Sequence, residues 1–285
     1  MVESSESEMK CIEQDESLSI SLYEIQNINL FELTSEYIKY LENIGDSLSV
    51  YNSFKYLSDK YSNLCTVLLD SEGDREKWIT LTYRYDGDLQ KFVIDFPDKI
   101  SSEIIKCFLQ TSRFIAIPLL LMQPIRGAEY NSHSNILIYD TKKKELERFE
   151  PHGDIYTREN IRPIIKKMYK NIDDDILKFL NKYEKNVKKY YKPIDYCPEM
   201  SFQTLEVLEN ESLPIDPGGY CSMWCIWYLD LRLSNPNKSR KTIVNFAISK
   251  IEKDGFKKFI RDYSLFIKQE ILKQHEDDIL KYFFM

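Results

Sequence analysis

An α+β fold is expected from three observations. Short apolar runs with strand-like alternation crowd the middle of the chain, helical patterns flank them, and one apolar helix opens on a cysteine behind two glycines. At 285 residues, 43% hydrophobic with 20 Tyr and 15 Phe, the chain can bury a sizeable core. The order of helix, strands and helices, without an internal repeat, gives a mixed α+β protein.

The elements follow in order. Residues 1–18 are rich in Ser, Glu and Asp and read as a disordered acidic tail. An extension of helix and strand is expected over 19–110, and a core with C-terminal helices over 111–285. Phe31, Leu33, Tyr37, Ile38 and Leu41, then Tyr51, Phe54 and Leu57, recur at helical spacing. Leu64 to Leu69, Trp78 to Tyr85 and Phe92 to Phe96 read as strands, the last two paired across Gly87. Ile104, Ile105, Phe108 and Leu109 mark a helix, followed by a strand from Phe114 to Met122. Residues 133–150 form a strand–turn–strand unit, and helices are expected over 158–170 and 174–188. A short strand over 202–207 leads through a Pro/Asp/Gly loop to the cysteine helix. Two or three amphipathic helices close the chain over 239–284, and His275 falls on their charged face.

Charge and composition exclude several classes. A formal charge of −7 argues against a general nucleic-acid binder. The longest apolar run, Phe114 to Met122, is strand-sized and holds Pro118, so no membrane span is expected. The acidic N-terminus lacks a signal-peptide core. Cysteines 11, 65, 107, 197, 221 and 225 show no framework spacing and are read as reduced thiols of a cytoplasmic protein. No Cys-x-x-Cys occurs, so neither a structural zinc nor any other cofactor is expected.

Two of only eight glycines stand directly before one thiol, in Pro217-Gly218-Gly219-Tyr220-Cys221, where the apolar stretch Ser222 to Leu229 begins. Glycine permits close approach of another group, and a helix N-terminus favours the thiolate, which is the nucleophilic form. Cys225, one turn further, lacks that position and reads as a buried hydrophobe, with Trp224 and Trp227 as core. His133 opens the hairpin unit. With the turn centred between Thr141 and Lys142, Asp140 faces Lys143 and His133 faces Glu150, a carboxylate placed to orient an imidazole. Asp140 and Asn135 stay open as the orienting group, and His152 as the base. Gln203 is the one glutamine between Gln123 and Gln269, an oxyanion donor or a plain strand residue.

The order His133, Glu150, Gln203, Cys221 resembles the SUMO-protease and adenain-like cysteine peptidases (clan CE), over roughly residues 110–235. The phrases Phe149-Glu150-Pro151-His152-Gly153 and Asp216-Pro217-Gly218-Gly219-Tyr220-Cys221 are most similar to the versions in large DNA viruses. Three positions depart from the family pattern. Ser134 follows the His where Trp is common, Glu150 stands where Asp or Asn is usual, and Gln203 lies further from the Cys than its counterpart does. The resemblance implies a papain-like core, a central mixed sheet with a buried helix carrying the nucleophile, behind a helical N-terminal extension. It implies cleavage after Gly, on ubiquitin or ubiquitin-like conjugates or on viral precursor proteins, in host cytoplasm or virion. Its partner is then a protein substrate, with neither nucleic acid nor membrane. A module that keeps the fold but has lost activity is the competing expectation.

Overall fold

The computed structural model describes residues 45–67, 77–86, 91–124, 130–154, 159, 163–209 and 219–274. The acidic tail, the first helical pattern, Gly218, Cys11 and His275 lie outside them. Helix α1 (Gly45–Lys60) is followed by strands β1 (Leu64–Thr66), β2 (Ile79–Asp86) and β3 (Lys91–Asp95), then helix α2 (Ser102–Leu109). Strands β4 (Phe114–Pro124), β5 (Tyr130–Asp140) and β6 (Glu145–Phe149) lead to helix α3 (Pro163–Leu180) and strand β7 (Lys189–Tyr191). The remainder is helical: α4 (Pro193–Tyr196), α5 (Phe202–Leu208), α6 (Cys221–Ser234), α7 (Arg240–Ile251) and α8 (Phe256–Gln274). The fold is α+β, as the sequence predicts.

All seven strands form one mixed sheet in the order β3-β2-β4-β5-β6-β7, with β1 alongside β4. Parallel pairs β1–β4, β2–β4 and β6–β7 combine with antiparallel pairs β2–β3, β4–β5 and β5–β6. Helix α6 packs on β5 and is buried along its length from Met223 to Leu233. A helix apolar nearly all round must lie inside the protein, and its aromatic side chains do the anchoring. Tyr228 stacks on Phe149 with centroids 4.0 Å apart, and Trp224 and Trp227 meet each other and Phe202 within 5.3 Å. The charged groups on α6 are paired: Asp230 takes Lys60 and the hydroxyls of Tyr61 and Tyr263, while Arg232 reaches Glu147 at 3.1 Å. The helix start therefore cannot shift without disturbing α1, β6 and α8.

Four expectations need correction. The hairpin ladder pairs Ile136 with Phe149 and Asp140 with Glu145, so the turn is the four residues Thr141 to Lys144 and the register moves by two. Asp140 accepts the backbone N–H groups of Lys142 and Lys143, and Lys144 takes the left-handed conformation that closes the turn. Residues 202–207 are helix α5, not a strand, because Phe202 packs under α6 and Gln203 N–H bonds the Pro151 carbonyl at 3.0 Å. One helix, α3, replaces the two expected over 158–188. Asp173, which resembles a helix break in sequence, is buried in a bidentate pair with Arg148 and lets the helix run through. Finally, Cys65 and Cys107 are joined in a disulfide linking β1 to α2, rather than being free thiols.

After β6 the chain turns through Glu150-Pro151-His152-Gly153, with Gly153 N–H bonded to the Glu150 carbonyl at 2.9 Å. Proline at the second position and glycine at the fourth suit such a turn. Gly153 has φ of 94°, and a Cβ there would stand 2.4 Å from the Pro198 carbonyl oxygen. Gly153→Ala combines positive φ with that clash, and it should cost about 2 kcal/mol or more. Urea unfolding will show this as a lower midpoint at unchanged slope. An unchanged midpoint would mean that the turn does not need its glycine.

Candidate active site

Two elements converge at the open edge of β5. The β6 ladder stops at Ile136–Phe149, so β5 continues through His133, Ser134 and Asn135 with β4 on one side and no β6 strand on the other. The first turn of α6 lies against this stretch. Ser222 Oγ is 2.7 Å from Ser134 Oγ, and the Cys225 thiol donates to the Ser134 carbonyl at 3.5 Å. Cys221, at the helix start, is half-buried and hydrogen-bonds the His133 ring.

His133 Nε2 is hydrogen-bonded to Glu150 Oε1, which leaves Nδ1 for the thiol. Asn135 Nδ2 donates to Glu150 Oε2 at 3.0 Å, and the His152 backbone N–H donates to Oε1 at 3.1 Å. Arg148 in turn donates to Asn135 Oδ1 at 2.5 Å, stands 3.6 Å from Glu150 and is locked by Asp173 at 2.7 Å. An anion buried this deeply is tolerable only with such partners. Asp140 does not join the group. It sits seven residues along the strand from His133, about 23 Å at the usual rise, and holds the turn and Arg113. His152 stacks on His133 with centroids 4.7 Å apart, and its Nδ1 lies 3.2 Å from Thr204 Oγ1.

Gln203 is buried on the first turn of α5, and a Cβ on Gly219 would meet its Nε2 at 3.2 Å. Glycine at 219 is what lets that amide approach the segment leading into Cys221. Gln203 Oε1 is buried without a hydrogen-bond partner among the described residues. Helix α5 is fixed relative to α6 by Glu206, which accepts from Trp224 Nε1 at 2.8 Å.

The electrostatics separate the thiols. Burial alone would raise Cys221, but the hydrogen bond and charge of His133, with hydrogen bonds from Ser134, outweigh it and bring it to about 7. Burial likewise opposes the cationic imidazole, yet Glu150 and the bond to Cys221 push His133 well above the usual histidine range. Burial would also raise Glu150, and His133, His152 and Arg148 hold it below the usual carboxylate range. Both shifts run in the direction that favours a thiolate facing an imidazolium over the neutral pair. Cys225 and Cys197, by contrast, are pushed up by burial with no cation offsetting it fully.

Four residues that the sequence singles out come to one place in the fold: His133, Glu150, Gln203 beside Gly219, and Cys221. Arg148 and the bridging role of Asn135 come from the structure. Arg148 and Glu150, two apart where β6 ends, share a face, and that spacing was the available signal. Among the described residues no group of His, Cys, Asp and Glu side chains is arranged to hold a metal ion, and no helix is long and apolar enough to cross a membrane.

No protein-family model matches the chain. Over 260 residues it is 29% identical to a protein of Acanthamoeba polyphaga mimivirus named as an ankyrin repeat protein. That match takes in 81% of this chain and 32% of the relative, so the chain spans about a third of the relative's length. Two solved Chlamydia trachomatis structures are similar in part. The effector protein Cdu1 bound to ubiquitin gives a TM-score of 0.41 at 14% identity, covering 82% of this chain and 94% of that one. ChlaDub1 gives 0.36 at 13% identity, covering 76% and 93%.

Differential alkylation reads the thiol environment directly. Iodoacetamide should modify Cys221 with a pH midpoint near 7, the rate rising as the thiolate fills. Cys225 and Cys197 should stay unmodified in the folded protein at neutral pH. Peptide mass spectrometry showing Cys225 reacting as fast as Cys221 would contradict the separation.

Proposed function

We propose that the chain is a cysteine peptidase of the clan CE type, acting after Gly on ubiquitin or ubiquitin-like conjugates, with viral precursor proteins as a second substrate class. The observation that carries the reading is His133 hydrogen-bonded between the Cys221 thiol and the Glu150 carboxylate. Cys221 Sγ attacks the scissile carbonyl carbon, its proton having passed to His133 Nδ1. The carbonyl oxygen becomes an oxyanion, held by the Cys221 backbone N–H and the Gln203 side-chain amide. His133 then protonates the leaving amine as the C–N bond breaks, leaving a thioester on Cys221. Water, deprotonated by His133, attacks that thioester, and the thiolate leaves with the acid released. Glu150 keeps Nδ1 turned to the sulfur and stabilises the imidazolium throughout.

Ubiquitin bearing a C-terminal electrophile is the first probe. Covalent capture should map to Cys221 and disappear in Cys221→Ala while surviving in Cys225→Ala. His133→Ala should slow capture at least about a hundredfold. Gln203→Ala should lower turnover of a ubiquitin amide substrate about 10² to 10³-fold, the scale of losing one oxyanion donor. Binding of ubiquitin and SUMO probes without capture by any, in folded protein, would overturn the enzyme reading in favour of an inert interaction module.

A further inference from the structure

His152 stands in the turn between the acid and helix α5, half-buried, with its backbone engaged on both sides. Its N–H donates to Glu150 Oε1 at 3.1 Å, and its carbonyl accepts the Thr204 hydroxyl at 2.9 Å and the Ser201 N–H at 3.3 Å. The ring reaches the same hydroxyl, with Nδ1 3.2 Å from Thr204 Oγ1. A hydroxyl has one proton to give. Thr204 gives it to the carbonyl, so toward the ring its oxygen accepts, and His152 Nδ1 carries the hydrogen. One side chain thus fixes both the tautomer and the plane of this imidazole. That plane lies along His133, with centroids 4.7 Å apart and 28° between the rings, within the range of aromatic stacking.

We propose that His152 is a positioning residue for His133: clipped by Thr204, its ring is the plate that fixes the plane of the His133 imidazole, while Glu150 fixes the Nε2 end. The second torsion of a histidine side chain is broad, and one hydrogen bond at Nε2 sets a point rather than a plane. A stacked neighbour supplies the missing constraint. With the plane set, the Nδ1 edge keeps one direction, which in the proposed peptidase is that of the Cys221 sulfur. The catalytic meaning rests on that reading, whereas the placement itself concerns two rings, a carboxylate and a hydroxyl.

The same turn ties the acid to the oxyanion donor. The Pro151 carbonyl accepts the Gln203 N–H at 3.0 Å, so Gln203 and Thr204 sit on one helix turn anchored beside Glu150. The charged groups around the rings come from several elements. The end of β6 supplies Glu150 and Arg148, with Asp173 of α3 on Arg148, and α5 supplies Glu206, engaged by Trp224 of α6. A proton held by His133 disfavours a second one on the ring stacked against it. The plate therefore works as a neutral flat ring, which phenylalanine can replace and alanine cannot.

With only three histidines in the chain, ring signals are readily separated by NMR of the full chain carrying isotopically labelled histidine. His152 should appear as the Nδ1–H tautomer, and the His133 Nε2 proton should exchange slowly with water. His152→Ala should speed that exchange about tenfold, the upper end of what one aromatic stack is worth. His152→Phe should restore the slow rate, and Thr204→Val should raise it by less than His152→Ala while releasing the tautomer. A merely structural role would lower the urea midpoint and leave exchange in the folded protein unchanged. A folded His152→Ala protein with the wild-type rate overturns the proposal, and so does a His152→Phe protein that behaves as His152→Ala does. If His152→Ala does not fold, an unmoved rate in Thr204→Val overturns it instead. With a ubiquitin amide substrate, His152→Ala should lower kcat about tenfold at unchanged KM, and His152→Phe should recover it. The exchange readout needs no substrate, so failure of ubiquitin-probe capture sinks the peptidase reading and leaves this result standing, and the reverse holds equally.

Discussion

Everything at the site depends on keeping a carboxylate charged inside the protein. Glu150 is 1% exposed, and an unpaired anion there would take up a proton and cease to orient anything. Its two oxygens are instead divided among fixed donors: His133 and the His152 backbone N–H on Oε1, Asn135 on Oε2, with Arg148 close behind. Arg148 is one fixed cation facing two anions, Glu150 and Asp173, so the charge it leaves uncompensated falls to His133. That is the physical reason the imidazole holds its proton more tightly and the thiol beside it gives its own up more readily.

The same chain of contacts ties the site to the scaffold. Asp173 belongs to α3, accepts Tyr190 from β7 at 2.6 Å and grips Arg148 of β6, which reaches Asn135 of β5. Elements far apart in sequence thus set the position of one carboxylate. On the other side, Phe149 stacks on Tyr228 of α6, one residue before Glu150. The acid and the cysteine helix are held to a common reference, the end of β6. Such networks are costly to leave partly satisfied, which favours a single arrangement over a loose one.

The class of fold was legible because β4, β5 and α6 carry strong periodic signals and one glycine pair flags the helix start. What escaped was set by tertiary contacts. Residues 202–207 are expected as a short strand, yet Phe202 under Trp224 and Trp227 and Glu206 on Trp224 hold a helix there. The gap expected between helices at 158–170 and 174–188 closes because Asp173 is buried against Arg148 inside one continuous helix. The Cys65–Cys107 bridge joins residues of unrelated spacing, and only the packing of β1 beside α2 brings them together. Of the candidate site, His133, Glu150 and Cys221 could be read from chain order, whereas Arg148, and Asn135 as a brace to Glu150 rather than its rival, could not, because each acts through a neighbour that only the fold supplies.

The register shift explains why the acid is glutamate. Continuing the β5–β6 ladder one step past Ile136–Phe149 puts residue 150 opposite Asn135, so His133 lies on the diagonal. A shift of two residues keeps the same face, since side chains alternate with period two. The distance does change, from about 5 Å between opposed Cβ atoms to about 7–8 Å on a diagonal. Aspartate suits the shorter span. Glutamate, one methylene longer, crosses the diagonal and leaves the directly opposed position to Asn135, whose amide takes the second oxygen at 3.0 Å. Glu150 and Asn135, weighed in the sequence as competitors for one role, are thus the two halves of a single device: a long carboxylate that reaches the histidine and a short amide that stops it from swinging away.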